Sequence, residues 1–333
     1  MKTVFHKQEI DPEKWHELVA SSSVATWFQT REAFVFFDEL PFLEAFVVAV
    51  ESEGVLKGLA TGYIQKENGK LKRFFSRRAI ILGGPLLAEN IADNELRALL
   101  ETLINILKQK AIYIETRNFN DYSRWRQPFV ECGFAYQPHY DIKVDTSSME
   151  MLNSNLGKSR KRDIRVSMRE GAGIVASPTI NQVREYYILL SDLYKNKVKS
   201  PLFPFSFFEK LLQQTSSAFL LVEFEEKIVG GTVCVGLAGR ALFEMFACGK
   251  DGVYKNVFPS ELATFAGMQY AVKKGYPMFD MMGAGKPDDG GYGVRDFKLK
   301  FGGALVEYGR YVHVCNRLLY GIGKLGVKIM KKV

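Results

Sequence analysis

Two segments of the chain share one pattern of hydrophobic and polar positions. Residues 45–58 read AFVVAVESEGVLKG, and residues 218–231 read AFLLVEFEEKIVGG. Aligned without a gap, each begins with Ala-Phe and a run of aliphatic residues. Each then passes through an acidic stretch and returns to an apolar pair before a glycine. This pattern predicts a strand, a tight turn and a second strand, used once in each half of the chain.

The elements that follow these two hairpins also repeat. Residues 95–115 and 261–280 each read as a helix and then a strand, and the two strands end at Glu115 and Asp280. A period of about 170 residues is far too long for a solenoid repeat. We therefore expect two copies of one domain, with a composite site between them as a possibility. Chance similarity between two ordinary hairpins is the alternative interpretation.

Strands and helices alternate along the chain, which predicts an α/β fold whose hairpins make the sheets mixed (α+β) rather than wholly parallel. Helix 94–109 carries leucines at helical spacing, which indicates a buried face. The expected domains are residues 1–147 and 148–315, with the strand YDIKVD completing the first. Residues 316–333 are expected to form a helix that returns to the first domain.

Composition narrows the class of protein. The chain has 333 residues, and its hydrophobic fraction of 47% is that of a globular protein with an ample core. The net charge of +8 permits anionic partners. The four cysteines form no CxxC pair and the four histidines lack ligand spacing, so we expect no disulfide framework, no metal and no cofactor. The charged N-terminus and the lack of a long apolar run predict a cytoplasmic protein.

Candidate chemistry concentrates around one lysine near the C-terminus. The glycine-rich stretch 283–293 fits neither a P-loop nor a dinucleotide-binding pattern, and reads as a surface loop or a lid. In the segment VRDFKLKFGG that follows, Val294, Phe297 and Phe301 would share one face of a short helix. Lys298 would then project as a fixed cation towards a phosphate or a developing oxyanion. Solvated lysines on an amphipathic turn are the alternative.

Two further segments carry basic stripes. The junction helix has basic residues at spacings of three and four, typical either of phosphate-backbone binding or of a solvated face: Lys158, Lys161, Arg162, Arg165 and Arg169. Residues 316–333 hold several lysines and no acid, with apolar positions 318, 322, 325 and 329 on one helical face. This second pattern is typical of a helix on an anionic membrane surface, of a helix docked on its own domain, or of both.

Nucleophilic catalysis finds no support in the motifs. No Ser/His/Asp or Cys/His set is recognisable, and the nucleophile-elbow pattern GxSxG is absent. Acyl transfer within a ternary complex is easier to accommodate than covalent hydrolase chemistry.

The order YKNVFPSELATFAGMQYAVKKGYPMFDMMGAG…GYGVRDFKLKFGG…VEYGRYV resembles the second domain of the FemAB/FemX family. That family has a tyrosine-containing loop, a long helix ending in lysine-glycine, an aspartate-bearing strand with glycines, and FKxxFGG. The junction KSRKRDIRVSMREGAGI resembles the family's linker, and FQTREAF and ILGGPLL resemble first-domain segments more weakly. The resemblance covers nearly the whole chain, and FKLKFGG is its specific part.

The resemblance implies two tandem GNAT-type acyltransferase domains. Characterised members transfer an amino acid from aminoacyl-tRNA to the peptide stem of a peptidoglycan precursor, so tRNA and an anionic nucleotide- or lipid-linked precursor are the implied partners. Lys298 corresponds to the family's FK lysine, Phe297 to its phenylalanine and Tyr254 to a substrate-contacting tyrosine. Replacing Lys298 by alanine is expected to abolish transfer and leave the fold intact.

The remaining expected roles are these. Lys298 would stabilise a phosphate or the oxyanion, and Asp280 or Glu115 would accept the proton. The expected substrate-binding residues are Tyr254, Phe297, Arg295, Lys195, Lys197 and Lys199. The expected contacts to tRNA or phosphate are Lys158, Lys161, Arg162 and Arg165.

The chain departs from the family pattern at three places. The family's early lysine has no counterpart, and Ala33 stands where its tryptophan is expected. The arginine and tyrosine expected after the second domain's first helix are missing, with the three lysines at 195, 197 and 199 as stand-ins. Two alternatives therefore stay open. One is acyl-CoA-dependent acylation of an amino-sugar or surface polysaccharide, disfavoured by the missing pyrophosphate loop. The other is a non-catalytic GNAT-repeat binding protein.

Overall fold

The computed structural model describes residues 2–4, 9–65, 77–289 and 293–330, with side chains in the last range described to residue 323. The chain divides into two compact units. Unit 1 comprises Met1–His139 and Glu307–Val333, and unit 2 comprises Tyr140–Val306.

Unit 1 contains a mixed sheet and its helices. Its strands are β1 (Lys2–Val4), β2 (Leu43–Ser52), β3 (Val55–Gln65), β4 (Arg78–Leu82), β5 (Leu86–Leu87), β6 (Tyr113–Arg117), β7 (Ala135–Gln137) and, from the far end of the chain, β15 (Arg310–Val314). Its α-helices are α1 (Pro12–Ser21), α2 (Arg31–Asp38), α3 (Asp93–Leu107), α4 (Arg126–Glu131) and α11 (Arg317–Met330). The strand order is β1-β2-β3-β4-β6-β15-β7, with β5 also paired to β3.

Unit 2 repeats this plan. Its strands are β8 (Tyr140–Asp145), β9 (Gly173–Val175), β10 (Ser217–Phe224), β11 (Lys227–Gly236), β12 (Ala241–Gly249), β13 (Met278–Asp280) and β14 (Ala304–Glu307). Its α-helices are α5 (Met149–Asn155), α6 (Lys158–Arg169), α7 (Ile180–Leu193), α8 (Phe205–Leu211), α9 (Pro259–Lys274) and α10 (Gly293–Leu299). The strand order is β14-β8-β13-β12-β11-β10-β9.

The predicted repeat and the α/β class with mixed sheets are confirmed. In each unit an antiparallel hairpin, β2–β3 or β10–β11, is followed by a third antiparallel strand, β4 or β12. A long helix, α3 or α9, then leads to a parallel partner of that third strand, β6 or β13. The parallel pairing requires the helical crossover, because a short turn cannot return the chain in the same direction.

Both hairpins close with two-residue loops in the left-handed backbone region. Glu53 and Gly54 have φ of 53° and 78°, and Glu225 and Glu226 have φ of 49° and 60°. Positive φ at both central positions is the type I′ turn, whose twist matches that of the flanking strands. The second loop uses two glutamates where glycine or asparagine is usual, so it carries local backbone strain.

The unit boundaries differ from the predicted domain boundaries for a topological reason. β8 follows β7 closely in sequence, yet it pairs antiparallel with β13, placing Asp145 opposite Met278 in the second sheet. The strand YDIKVD therefore belongs to unit 2. β15 instead lies between β6 and β7 in the first sheet.

Each unit has its own hydrophobic core. The leucine stripe of α3 is fully buried against β2 and β3, as its spacing predicts. In unit 2, the face of α9 that includes Leu262, Ala263 and Met268 packs with Phe279 and Phe301. Burial of these side chains is the main stabilising contribution in both units.

The C-terminal helix differs from expectation. Tyr320 of α11 packs against Tyr113 of β6, with ring centroids 5.3 Å apart. However, Leu318 and Ile322 of the predicted docking stripe are 74% and 47% exposed. The other two stripe positions, 325 and 329, lie outside the residues whose side chains are described. Within the described chain, none of the helices is long and apolar enough to cross a bilayer.

Candidate functional site

An opening between two parallel strands distinguishes unit 2 from unit 1. β12 pairs with β13 only over Ala241–Phe243, and residues 244–249 continue without a parallel partner among the described residues. The separation begins at a β-bulge, where Val233 pairs with Phe246 and Cys234 with Glu244, leaving Met245 unpaired. A bulge bends its strand away from the regular ladder. In unit 1, β4 and β6 pair over the full length of both strands, so the corresponding opening is closed.

A group of charged residues, three buried carboxylates and two half-buried lysines, lies where β12 and β13 separate; we call it the lysine–carboxylate cluster. Strands β8, β12 and β13 and helix α10 contribute its members, which are Asp141, Lys143, Glu244, Asp280 and Lys298. The three carboxylates are almost fully buried. Buried charges of this kind persist only where opposite charges and hydrogen bonds compensate for lost hydration.

Lys298 is held by the backbone that follows β13. Its Nζ donates to the carbonyl oxygens of Met281 at 2.5 Å, Met282 at 3.0 Å and Gly283 at 3.0 Å. These three bonds use every hydrogen of the ammonium group. Burial lowers the pKa of Lys298, while the carboxylates of Glu244, Asp141 and Asp280 oppose that shift. In this geometry Lys298 clamps the 281–283 backbone and does not project towards solvent.

Glu244 is a cluster residue that the sequence patterns did not single out. Its Oε1 accepts hydrogen bonds from the hydroxyls of Thr232 at 3.0 Å and Thr264 at 2.9 Å. Burial raises the pKa of Glu244, and the charge of Lys298 and the two hydroxyls oppose the rise. The available signal was an acidic residue inside the otherwise apolar strand ALFEMFACG.

Asp280 pairs in register with Phe243 of β12, the residue that precedes Glu244. Asp280 and Glu244 therefore lie on adjacent strands with their side chains on opposite faces of the sheet. The Oδ1 of Asp280 accepts from the backbone N–H of Met282 at 2.8 Å, and its Oδ2 lies 3.6 Å from Lys143 Nζ. Burial raises the pKa of Asp280, opposed first by Lys143. Two carboxyl groups with raised pKa values thus flank the point where the strands separate, which is a frequent feature of functional sites.

One arginine of α6 packs against the helix that carries Lys298. Arg160 of α6 lies over the rings of Phe297 and Phe301, 4.4 and 5.1 Å from their centroids. It also pairs with Glu261 of α9 at 2.6 Å. The two phenylalanines therefore anchor the segment as predicted. Val294, the third member of the predicted face, is exposed.

Other predicted substrate-binding residues have structural contacts of their own. Arg295 donates to the carbonyl oxygens of Ala284 at 2.9 Å and Lys286 at 2.5 Å, and its guanidinium lies 4.9 Å from the ring centroid of Tyr140. Tyr254 is half-buried, with its ring 5.2 Å from that of Phe224. These contacts fix the two side chains within unit 2.

The three predicted lysines lie at the end of α7. Lys195 and Lys197 belong to a single π-helical turn, Tyr194–Val198, and Lys199 follows in the left-handed region with φ of 51°. All three are exposed. Lys197 lines a cavity of about 250 Å³ whose opposite wall is the end of β12 and the turn after it, including Cys248 and Asp251. Isolated π-turns occur frequently at functional sites.

The N-terminus of α9 is occupied by the chain's own carboxylate. Asp251 accepts from the backbone N–H of Ser260 at 3.0 Å and from its hydroxyl at 2.5 Å. A helix N-terminus attracts anions, because its N–H groups are unpaired and the helix dipole is positive there. Here that position already holds a negative side chain, so a diphosphate would meet repulsion.

The basic stripe of α6 lies at the surface, with one half-buried member. Lys158 and Arg165 are exposed and Lys161 is half-buried. Arg162 donates to Asp163 at 2.9 Å while remaining largely exposed. The stripe is therefore available to an anionic partner, with one member already paired.

In unit 1, Glu115 is enclosed by arginines. Arg117 donates to its Oε1 at 2.7 Å and Arg310 at 2.8 Å. These charges hold the pKa of Glu115 at about 2, despite its burial. A carboxylate so strongly ionised is a poor proton acceptor near neutral pH. The geometry therefore favours Asp280 over Glu115 for the predicted proton-accepting role.

Metal-binding geometry is not found in the described ranges, where no group of three or more His, Cys, Asp or Glu side chains is placed to hold an ion.

Comparisons with known proteins match a family model to part of the sequence and solved structures to the fold. Residues 224–327 match the FemAB family model, a stretch that includes Glu244, Asp280 and Lys298. The structure resembles that of FemX with a TM-score of 0.72 and 15% identity, covering 97% of this chain and 99% of that one. No curated protein matches the sequence.

Two further solved structures share the fold. The structure of L-PGS from Bacillus licheniformis matches with a TM-score of 0.57 and 15% identity, covering 97% of each chain. A tandem GNAT protein from the clavulanic acid biosynthesis pathway matches with a TM-score of 0.59 and 10% identity, covering 95% of this chain and 98% of that one. The predicted resemblance to FemAB/FemX is thus confirmed over residues 224–327, and the structural match to the tandem GNAT protein covers 95% of the chain.

Proposed function

We propose that the protein is an N-acyltransferase that moves an aminoacyl group from aminoacyl-tRNA to an amine on the peptide stem of a peptidoglycan precursor. The amine nitrogen attacks the ester carbonyl, a C–N bond forms and the ester C–O bond breaks. The ribose hydroxyl leaves with a proton, and the attacking amine loses one. No covalent enzyme intermediate is needed, so positioning supplies most of the rate.

One observation carries the proposal. The part of the chain that matches the FemAB family model, residues 224–327, contains the point where β12 and β13 separate and three members of the lysine–carboxylate cluster, Glu244, Asp280 and Lys298. Openings at the carboxyl ends of adjacent parallel strands are common ligand sites in α/β sheets. The match and the geometry therefore point to the same residues.

Within this site, Lys298 is a positioning residue. Its three bonds order the carbonyl groups of residues 281–283 at the end of β13, and its charge raises the positive potential at the opening. Asp280 is the proposed proton acceptor, and Glu244 on the adjacent strand is a second buried carboxyl group whose pKa is raised. Carboxyl groups with raised pKa values suit proton uptake near neutral pH better than ordinary ones.

The donor is proposed to be charged tRNA and not acyl-CoA. The Asp251 carboxylate occupies the α9 N-terminus, where the diphosphate of a CoA would otherwise find unpaired N–H groups. The exposed basic residues of α6 supply a surface for a phosphate backbone. The absent pyrophosphate-loop pattern points the same way.

A transfer assay tests the function directly. The purified chain is incubated with a radiolabelled pool of aminoacyl-tRNA and a nucleotide-linked peptidoglycan precursor, and the precursor is analysed by mass spectrometry. A mass gain of one amino acid residue is the expected result. Asp280→Asn should lose most of that activity while retaining tRNA binding. Transfer from acyl-CoA to an amino-sugar would instead support the acyl-CoA alternative, and no turnover with either donor would support a binding protein.

Salt dependence tests the tRNA surface separately. Lys158→Gln/Arg165→Gln should weaken tRNA binding and reduce the slope of log K against log salt by about 1.5, because two fewer phosphates are neutralised. Lys227→Gln/Lys273→Gln removes the same charge from other exposed positions and is the matched control. Equal slopes for the two double variants would move the tRNA surface away from α6.

A further inference from the structure

The start of α11 is anchored while its apolar side faces solvent. The Asn316 side chain accepts a hydrogen bond from the Leu319 N–H at 3.0 Å and so caps the helix. Tyr320 packs on Tyr113, which fixes one side of the first turns. Leu318 and Ile322, one turn apart on another side, are 74% and 47% exposed. The helix is thus held at its base with a hydrophobic strip uncovered.

The sequence continues the apolar spacing beyond Ile322 and carries only positive charge in this segment. Positions 325 and 329 are Leu and Ile, which continues the spacing of 318 and 322. Residues 316–333 contain five basic residues and no acidic one: Arg317, Lys324, Lys328, Lys331 and Lys332. A segment that combines exposed apolar side chains with basic residues and no acidic one is complementary to a surface that is apolar beneath an anionic layer.

We infer that α11 docks on the surface of a bilayer containing anionic phospholipid. Fourteen residues make a helix about 21 Å long, which lies along an interface and is too short to span the hydrocarbon core. Leu318 and Ile322 enter the acyl boundary, and the lysines contact headgroup phosphates. A second copy of this chain would present the same positive charge and be repelled, so it is the less favourable occupant. This inference does not depend on the proposed transferase activity.

Vesicle sedimentation with the full chain tests the inference. Wild-type protein should co-sediment with phosphatidylcholine vesicles containing phosphatidylglycerol, and binding should fall with added salt and with pure phosphatidylcholine. Leu318→Ser/Ile322→Ser should weaken binding by about tenfold for each side chain that enters the bilayer. Val130→Ser, at an exposed apolar position of α4, is the matched control and should bind as wild type does.

Two variants, each with four lysines replaced, test how much the positive charge of residues 316–333 contributes to vesicle binding. Changing Lys324, Lys328, Lys331 and Lys332 to glutamine should reduce affinity by about fivefold for each lysine in contact. Changing Lys108, Lys227, Lys255 and Lys273 to glutamine removes the same charge from other exposed positions and should have little effect.

Three outcomes would overturn the inference. Equal vesicle binding by both quadruple variants would mean that α11 is not the contact. If Leu318→Ser/Ile322→Ser lowers the melting temperature and leaves vesicle binding unchanged, the strip docks on the chain itself. If the wild type is a dimer that this double variant converts to a monomer, with no vesicle binding by either, a second copy is the occupant.

Discussion

Replacing Lys298 should weaken unit 2 as well as its activity. In Lys298→Met, the carbonyl oxygens of Met281, Met282 and Gly283 lose their donor, and the buried carboxylates nearby lose a cation. This modifies the expectation, drawn from the sequence, that removal of the lysine would leave the fold intact. A merely solvated lysine could be removed without cost, whereas this one compensates buried negative charge.

The magnitude follows from those contacts. A buried carbonyl left without a donor costs about 1 kcal/mol or more, and removing one partner from a buried ionic group costs roughly 3–5 kcal/mol. Protonation of Glu244 or Asp280 relieves part of the cost of the unpaired buried charge. We therefore expect Lys298→Met to lower the free energy of unfolding of unit 2 by about 4 kcal/mol near neutral pH and by less in acid. Transfer activity should fall by about 100-fold, the usual effect of removing one electrostatic contact from an active site.

The position of the tryptophans makes the assay selective. Trp15, Trp27 and Trp125 are the chain's three tryptophans, and all lie in unit 1. Their fluorescence therefore follows unit 1, and circular dichroism and amide exchange in β12 follow unit 2. In urea, Lys298→Met should shift the dichroism transition and leave the fluorescence transition nearly in place. Lys300→Met, which removes an exposed lysine from the same segment, is the matched control.

A double variant separates charge compensation from simple packing. Glu244→Gln/Lys298→Met removes one buried carboxylate together with the lysine, and should recover at least about 1 kcal/mol relative to Lys298→Met alone. If Lys298→Met unfolds at the same urea concentration as Lys300→Met, Lys298 does not compensate the buried carboxylates. Additive effects of the two single substitutions would show that Lys298 and Glu244 do not interact.

Three further predictions concern the other buried charges. The pKa of Glu244 in the folded state is raised above its ordinary value, so the native state binds the proton more tightly and loses stability as pH rises through that pKa. Glu244→Gln should therefore gain stability relative to wild type as pH rises above the ordinary pKa of a glutamate, read in urea melts. For Glu115 the pH dependence of stability has the opposite sign, because its pKa is lowered from 4.5 to about 2 in the folded state. Its contribution to stability is present above pH 4.5 and is lost as pH falls towards about 2. Glu115→Gln should therefore lower the free energy of unfolding by about 3 kcal/mol at neutral pH and by almost nothing near pH 2, as measured by tryptophan fluorescence. Arg160→Met should destabilise unit 2 by roughly 3–5 kcal/mol, whereas Arg165→Met should leave its melting unchanged.

The two hairpins could be predicted because their signals are local. Strand alternation and a two-residue acidic loop define each hairpin within fourteen positions, residues 45–58 and 218–231. The leucine stripe of α3 is local in the same sense, since helical spacing alone predicts its buried face. Their repetition in one order was sufficient to predict two similar units.

The strand assignment near the junction failed because pairing is not local. β8 follows β7 after a gap of only two residues, and sequence adjacency favours pairing of neighbours. Its actual partner, β13, is more than a hundred residues away, with Val144 opposite Phe279. Nothing in YDIKVD itself distinguishes these two pairings.

Only part of the candidate site could be predicted, again because its residues are brought together by non-local strand pairing. Lys298 and Asp280 were found through motif and strand-end position. Lys143 reads as an ordinary polar residue of an alternating strand, and Glu244 is a single acidic residue in an otherwise apolar strand. They become notable only when β8, β12 and β13 bring them together at buried positions. The fixed direction of Lys298 was also unpredictable, because its acceptors are backbone carbonyls that any sequence would supply.

The place of β15 in the first sheet has a consequence for how the chain is made. β7 pairs with β15, and Tyr311 of β15 stacks on Phe129 with ring centroids 4.2 Å apart. During synthesis, unit 1 must therefore wait for all of unit 2 to emerge before this strand is available. Until then the edge of β6 has unpaired backbone groups, a template for association with other chains. A nascent protein of this topology should rely on rapid folding of unit 2 or on chaperones during that interval.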